Sequence, residues 1–175
     1  SWYTMEGESK RDYPASILHQ SPWYRDYDLI ESYFARFGVL MTEGEAACDV
    51  LVLNPIESVW CQAYAGWANW IFSVDEAVSA LEKRYEQLFH MLTGSQIDFD
   101  YGEEEMLSRL AAVERDKDGA PVLRVGQMRY KTVMVSGMLT MRPSTVALLR
   151  EFLDAGGRVI FAGEPPAYMD AERSP

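Results

Sequence analysis

The run "CDVLVLNP", residues 48–55, is apolar at four consecutive positions, Val50 to Leu53, and is cut off by Asn54-Pro55. A half-exposed strand alternates polar and apolar side chains, so an unbroken run of this length predicts a strand covered on both faces, as in a parallel sheet. "KTVMVSG" at 131–137 and "RVIFAG" at 158–163 repeat the pattern, and "QIDFD" at 96–100 supplies a shorter second strand. Parallel neighbours need crossover connections, and the intervening segments read as helices.

"YRDYDLIESYFARFGVLMTEG" places Leu29, Ile30, Tyr33, Phe34, Phe37, Leu40 and Met41 on one helical face, with Gly44 as its C-cap. From Ser73, "SVDEAVSALEKRYEQLFHMLTG" predicts a second helix. Val74, Val78, Leu81, Tyr85, Leu88 and Leu92 form its apolar face, Asp75 and Glu76 its acidic first turn and Gly94 its stop. His90 falls within it, as a histidine of the helix face or core rather than a ligand. "GEEEMLSRLAA" is a third helix with acids at its start; Thr145 to Ala155 is a fourth, opened by Pro143 and Ser144 and ended by Gly156-Gly157. "AAVERDKDGAPVLRVGQMRY" has the Asp118-Gly119 chemistry of a hairpin, placed at the sheet edge. The expected fold is α/β, with a mostly parallel sheet in the order 2-1-3-4, right-handed crossovers and an edge hairpin.

A chain of 175 residues holds one such domain with a sizeable core and is short for two. Hydrophobic content of 48% and charged content of 25% are those of a globular chain, and no apolar run approaches the ~20 residues of a membrane span. A net charge of −11 leaves no basic stripe for phosphates, which argues against nucleic-acid and anionic-membrane partners. Cys48 and Cys61 are too few for a disulfide framework and read as buried free thiols. With no secretory leader evident, the cytoplasm is favoured. The opening "SWYTMEGESKRDYP" is rich in aromatics and charges without a period, so residues 1–24 read as an arm meant to pack on something else.

In open α/β sheets the binding crevice lies beyond the carboxyl ends of the strands, where strand order reverses. For the order 2-1-3-4 that point falls between the first and third strands. "NPIESVW" and "SGMLTMRP" would then be its lips, and "DFDYGEEE" would border the same rim. Glu57, Trp60, Asp98, Asp100 and Glu104 would combine carboxylates with an indole, the side chains that grip sugar hydroxyls and stack on the apolar face of a pyranose. A helix cap and core tryptophans account for the same residues more simply.

Other chemistries of this architecture fit poorly. A class I glutamine amidotransferase needs a cysteine at the turn after the third strand, where Ser136-Gly137-Met138 stands. The G-x-S-x-G elbow, the hydroxyl-rich phosphate loop of a flavodoxin and the response-regulator aspartate are missing, as are Walker and dinucleotide fingerprints. Two distant histidines make no metal set, and no cofactor is indicated.

Several segments in order, "KRDYPASILHQSPWY", "LIESYFARFGVLMTEGEAACDVLVLNPIESVW", "IDFDYGEEEML" and "LRVGQMRYKTVMVSGMLTMRPSTVALLREFLDAGGRVIFAGEPP", carry a resemblance over nearly the whole chain. The chain resembles the region that follows the catalytic barrel in large bacterial glycoside hydrolases. More narrowly, it is similar to the amidotransferase-like domain that family 42 β-galactosidases use for trimerisation and that related family 2-like or rhamnosidase-like proteins carry. The resemblance implies a flavodoxin-like, class I glutamine amidotransferase-like three-layer sandwich without the nucleophile. Residues 1–24 would be the link from a preceding barrel and residues 25–175 the accessory domain. Lys10, Arg11, Trp23, Glu57, Trp60, Asp100 and Glu104 would lie toward that barrel, whose own strands would hold the two catalytic carboxylates. The implied partners are the barrel, its carbohydrate substrate and further copies of the chain. Two other readings stay open: an independent carbohydrate- or small-molecule-binding module, and a small glycosidase acting through Glu57 and Asp100.

Overall fold

A computed structural model of the chain describes residues 21–64, 68–69, 72–73 and 75–173. The chain divides into two compact units, Ser1–Ala46 and Ala47–Pro175. In the first, a 3-10 turn at Tyr24–Asp26 leads into helix α1, Tyr27–Thr42. Glu43 is its C-cap, and Gly44 beyond it takes the left-handed conformation at φ +94° that glycine adopts without strain. The expected apolar face forms, yet all of its residues are exposed, from 46% at Phe37 to 71% at Leu40.

The second unit opens with β1 (Val50–Leu53) and α2 (Ile56–Gln62), then the short antiparallel pair β2 (Ala68–Asn69) and β3 (Phe72–Ser73). Helix α3 (Glu76–Gly94), β4 (Phe99–Gly102) and α4 (Glu104–Leu110) follow. Next come β5 (Ala111–Arg115), β6 (Pro121–Val125) and β7 (Met128–Tyr130), which make an antiparallel sheet of their own. Strand β8 (Thr132–Val135), β9 (Thr140–Met141), α5 (Pro143–Asp154) and β10 (Arg158–Phe161) precede the closing hairpin of β11 (Tyr168–Met169) and β12 (Glu172–Arg173).

The central sheet is parallel throughout, in the spatial order β4-β1-β8-β10, with Val50 level with Phe99 on one side and Thr132 on the other. Successive strand residues point to opposite faces, so a run that is apolar at every position must fill two cores. Leu51, Leu53, Val133 and Val135 pack with Leu107 of α4 and Leu149 and Phe152 of α5, whereas Val52 and Met134 pack with Leu88 and Leu92 of α3. The result is a three-layer α/β unit. Each fully buried valine or leucine contributes roughly 1.5–3 kcal/mol to it.

Local chemistry moves several boundaries away from those read in the sequence. Helix α3 begins at Glu76 because the Asp75 carboxylate accepts hydrogen bonds from the Ala77 and Val78 N–H groups, at 3.0 and 3.1 Å. Ser73 is therefore strand, and Val74 lies outside the described residues. At the other end the stop is not Gly94, which is still helical, but Gln96 at φ 56°. The Gln96 N–H bonds Thr93 O and the Ile97 N–H bonds Leu92 O, the paired closure of a Schellman motif. These residues are spent on the cap, so β4 starts at Phe99. The expected hairpin turns at Asp116, whose Oδ1 accepts from the Asp118 and Ala120 N–H groups, and it gains a third strand through Gly126. It forms a separate sheet rather than extending the parallel one, and meets the edge strand β4 through the Tyr130 hydroxyl, which donates to Asp100. Helix α5 begins at Pro143, the first-turn position at which a missing N–H costs nothing.

Gln96 bears a left-handed conformation that glycine takes more cheaply, so Gln96→Gly is expected to stabilise the unit by about 0.5–1 kcal/mol. A urea midpoint that falls on this substitution would remove strain at the cap as the reason.

Candidate functional site

Strand order reverses between β1 and β8, and the chain leaving each of these strands forms one lip of a cleft beyond the carboxyl ends. Three polar side chains tie the lips together. Ser58 on α2 is fully buried; its Oγ accepts from the Leu139 N–H at 2.9 Å and the Thr140 N–H at 3.2 Å. Ser136 Oγ, also buried, donates to the Leu53 carbonyl at 2.6 Å. Glu57 in the first turn of α2 reaches Arg142, the N-cap residue of α5, with Glu57 Oε1 taking both Arg142 Nε at 2.6 Å and Nη2 at 2.5 Å.

A cation at the start of a helix opposes the helix dipole, and here two carboxylates offset it. Glu57 holds the Arg142 guanidinium above its ordinary range. Glu104, at the first position of α4 and 1% exposed, accepts the Arg142 backbone N–H on Oε2 at 2.8 Å. Burial pushes the Glu104 carboxyl up, against the opposing pull of the Arg142 N–H, with the Glu57 charge adding to the rise. Glu104 Oε1 and Thr145 Oγ1 are both buried and outside hydrogen-bonding geometry with any group among the described residues.

The cleft has a volume of about 720 Å³, within the ~300–1,000 Å³ range of small-molecule sites. Glu57, Arg142 and Ser144 line it together with Trp60, whose side chain is 62% exposed. Its remaining wall is the two-residue turn between β11 and β12, where Asp170 and Ala171 are both left-handed, at φ 50° and 63°. Alanine tolerates that conformation poorly, and the Ala171 N–H is held by Thr140 Oγ1 at 2.9 Å.

Of the residues singled out in the sequence, Glu57 and Trp60 line the cleft and Glu104 lies beneath it, against Arg142. Asp98 is exposed at the entry to β4, the opposite end of that strand from the rim. Asp100 sits inside β4 and accepts the Tyr130 hydroxyl at 2.9 Å, which together with burial drives the phenol pKa up, burial being the larger effect. Neither aspartate lines the cleft, because the strand starts later than the sequence pattern places it. Trp23 is half exposed in the first unit. Lys10 and Arg11 lie outside the described residues. Both cysteines are free; Cys48 is partly buried, but Cys61 is exposed at the cleft mouth, contrary to the expected burial, because it falls on the outer side of α2. His90 is exposed on α3 beside Glu86.

Arg142 falls within the expected lip "SGMLTMRP" and Ser144 at the expected helix start, but neither they nor Asp170 are singled out as site residues in the sequence. A cation immediately before a helix-opening proline is a signal for the first, since it needs an acidic partner there. Among the described residues, no group of three His, Cys, Asp or Glu side chains is arranged to hold a metal, and no helix is long and apolar enough to cross a membrane. No family model, curated protein or solved structure matches the chain.

Proposed function

We propose that the chain is a non-catalytic accessory domain of a multidomain glycoside hydrolase, with a flavodoxin-like, class I glutamine amidotransferase-like topology that has lost its nucleophile. The link to glycoside hydrolases comes from the sequence resemblance. The geometry that carries the non-catalytic half is the turn after β8. Ser136 Oγ is committed to the Leu53 carbonyl, and the left-handed residue that follows is Gly137, at φ 70°, which has no side chain to offer. The small-glycosidase reading gains no support, since Asp100 is engaged by Tyr130 and does not share the cleft with Glu57. The partners under this proposal are the catalytic barrel, its carbohydrate substrate and further copies of the chain.

Two measurements test it together. Reading the coding sequence that flanks this chain is expected to reveal a barrel with paired carboxylates; a gene for an unrelated enzyme around it would overturn the glycosidase half. The purified chain is expected to hydrolyse glutamine and nitrophenyl glycosides no faster than a heat-killed control. Turnover that Glu57→Gln abolishes would overturn the non-catalytic half.

A further inference from the structure

We infer that the cleft between α2, the start of α5 and the β11–β12 turn is itself a binding site for a neutral pyranose, with Trp60 as its stacking platform. Large aromatic side chains are usually covered, and the Trp60 indole is instead 62% exposed on the wall of a cleft. An indole beside hydrogen-bonding groups is the surface that an amphipathic ring with one apolar face fits.

Glu57, three residues before Trp60 on α2, is paired with Arg142 through contacts of its Oε1 to Nε and Nη2, so a carboxylate and a guanidinium stand side by side on the cleft wall. An acceptor and a donor fixed side by side match two adjacent hydroxyls, one donating and one accepting. Asp170 adds acceptors from the turn, and Ser144 adds a hydroxyl that serves either way.

Charge decides between a neutral and an anionic ligand. Glu57 and Asp170 bring two negative charges, against one positive charge on Arg142 and about half a charge from the start of α5. The walls are thus net negative, which disfavours phosphate, sulfate and uronic acids despite the arginine. The geometry of the walls is also set before any ligand arrives. Ser58 clamps the two lips, and Thr140 Oγ1 holds the strained Ala171 N–H so that Asp170 stays on the cleft wall. Pre-set groups lose less entropy on binding.

The ligand class follows from these donors, acceptors and charges. Only the choice of hexopyranosides as first probes rests on the glycoside-hydrolase reading. A barrel found in the flanking gene with no binding here would sink this site and leave that reading; binding without a barrel would do the reverse.

The test is a titration of the full chain with methyl β-galactopyranoside, methyl β-glucopyranoside and methyl α-mannopyranoside, followed by the indole N–H resonances. The Trp60 signal is assigned by its loss in Trp60→Phe. Glucuronate and inorganic phosphate are the anionic controls. At least one neutral hexopyranoside is expected to move the Trp60 signal saturably, with Kd on the order of millimolar, as befits a single ring. Trp60→Ala and Asp170→Gly, the second keeping a residue at ease in the left-handed turn, should each weaken this binding tenfold or more, read for both variants from line broadening of the sugar resonances, while the melting curve stays two-state. Three results would overturn the inference: no saturable shift with any of the three neutral sugars, tighter binding of phosphate or glucuronate than of all three, or sugar binding that survives Trp60→Ala.

Discussion

Gly157→Ala is expected to be among the most damaging single-methyl changes in the protein, costing about 3 kcal/mol, the upper end of the usual overpacking range. Helix α5 closes with a Schellman motif in which the Gly156 N–H bonds Leu153 O at 2.9 Å and the Gly157 N–H bonds Phe152 O at 2.8 Å. That closure folds Gly157 back over the residue five positions earlier, Phe152. A Cβ on Gly157 would stand 2.3 to 2.5 Å from three ring carbons of Phe152, which is fully buried in the core under α5. The ring is rigid and enclosed, so either Phe152 leaves its packing or β10 shifts away from β8. Gly156 makes a control one residue away. Its φ is +94°, yet an added Cβ would meet nothing closer than Pro121 at 3.8 Å. Gly156→Ala should therefore cost only the left-handed strain, about 1–2 kcal/mol. Urea unfolding of the two variants checks the order. If Gly157→Ala is as stable as Gly156→Ala, the ring contact does not limit the packing. Adding Phe152→Leu to Gly157→Ala should recover part of the loss, because the smaller side chain vacates the contact.

The glycine pair shows what a sequence reveals and what it withholds. That a helix ends at Gly156-Gly157 follows from backbone freedom alone. That the second glycine is required by a ring five residues back depends on which way the cap folds, and no local pattern carries that. The strands behave similarly. Val50 to Leu53 and Thr132 to Val135 are legible because burial on both faces demands an unbroken apolar run. β4 is not, because Gln96 and Ile97 look like the start of a strand while their N–H groups are closing α3. The shifted start is what takes Asp98 and Asp100 away from the rim. Half of the cleft was readable for the same reason that the strands were: a turn after a buried strand puts Glu57 and Trp60 at the carboxyl end of the sheet. The rest depends on contacts between distant parts of the chain. Glu57 meets Arg142 across 85 positions, and Asp170 sits in an Asp-Ala turn that lacks the glycine by which such turns are recognised. For α1 the pattern yields the apolar face but not what lies against it, and its side chains are exposed in the unit that contains it.

The second large effect concerns Glu104, whose two oxygens have unequal surroundings. Oε2 accepts the Arg142 N–H, while Oε1 lies buried with no hydrogen bond beside an equally unsatisfied Thr145 hydroxyl. Burial favours the neutral acid, so its pKa in the folded protein stands above the ordinary value of 4.5. The unfolded chain therefore releases this proton at lower pH than the folded one. The stability contributed by the group is fully present below about 4.5 and is lost as pH rises through the folded pKa. Glutamine keeps an acceptor for the Arg142 N–H, offers an N–H toward Thr145 and never ionises. Glu104→Gln should therefore match the wild type near pH 4 and exceed it at pH 7.5, flattening the pH dependence from this site. Glu104→Ala removes the acceptor as well as the volume. It strands the Arg142 N–H and loosens the joint between α4 and α5, at about 2–4 kcal/mol. Urea midpoints for the three proteins at pH 4, 6 and 7.5 separate the contributions. If Glu104→Gln is the less stable protein at pH 7.5, the ionised carboxylate is being held by the Arg142 charge, and that attraction outweighs the desolvation of a buried acid.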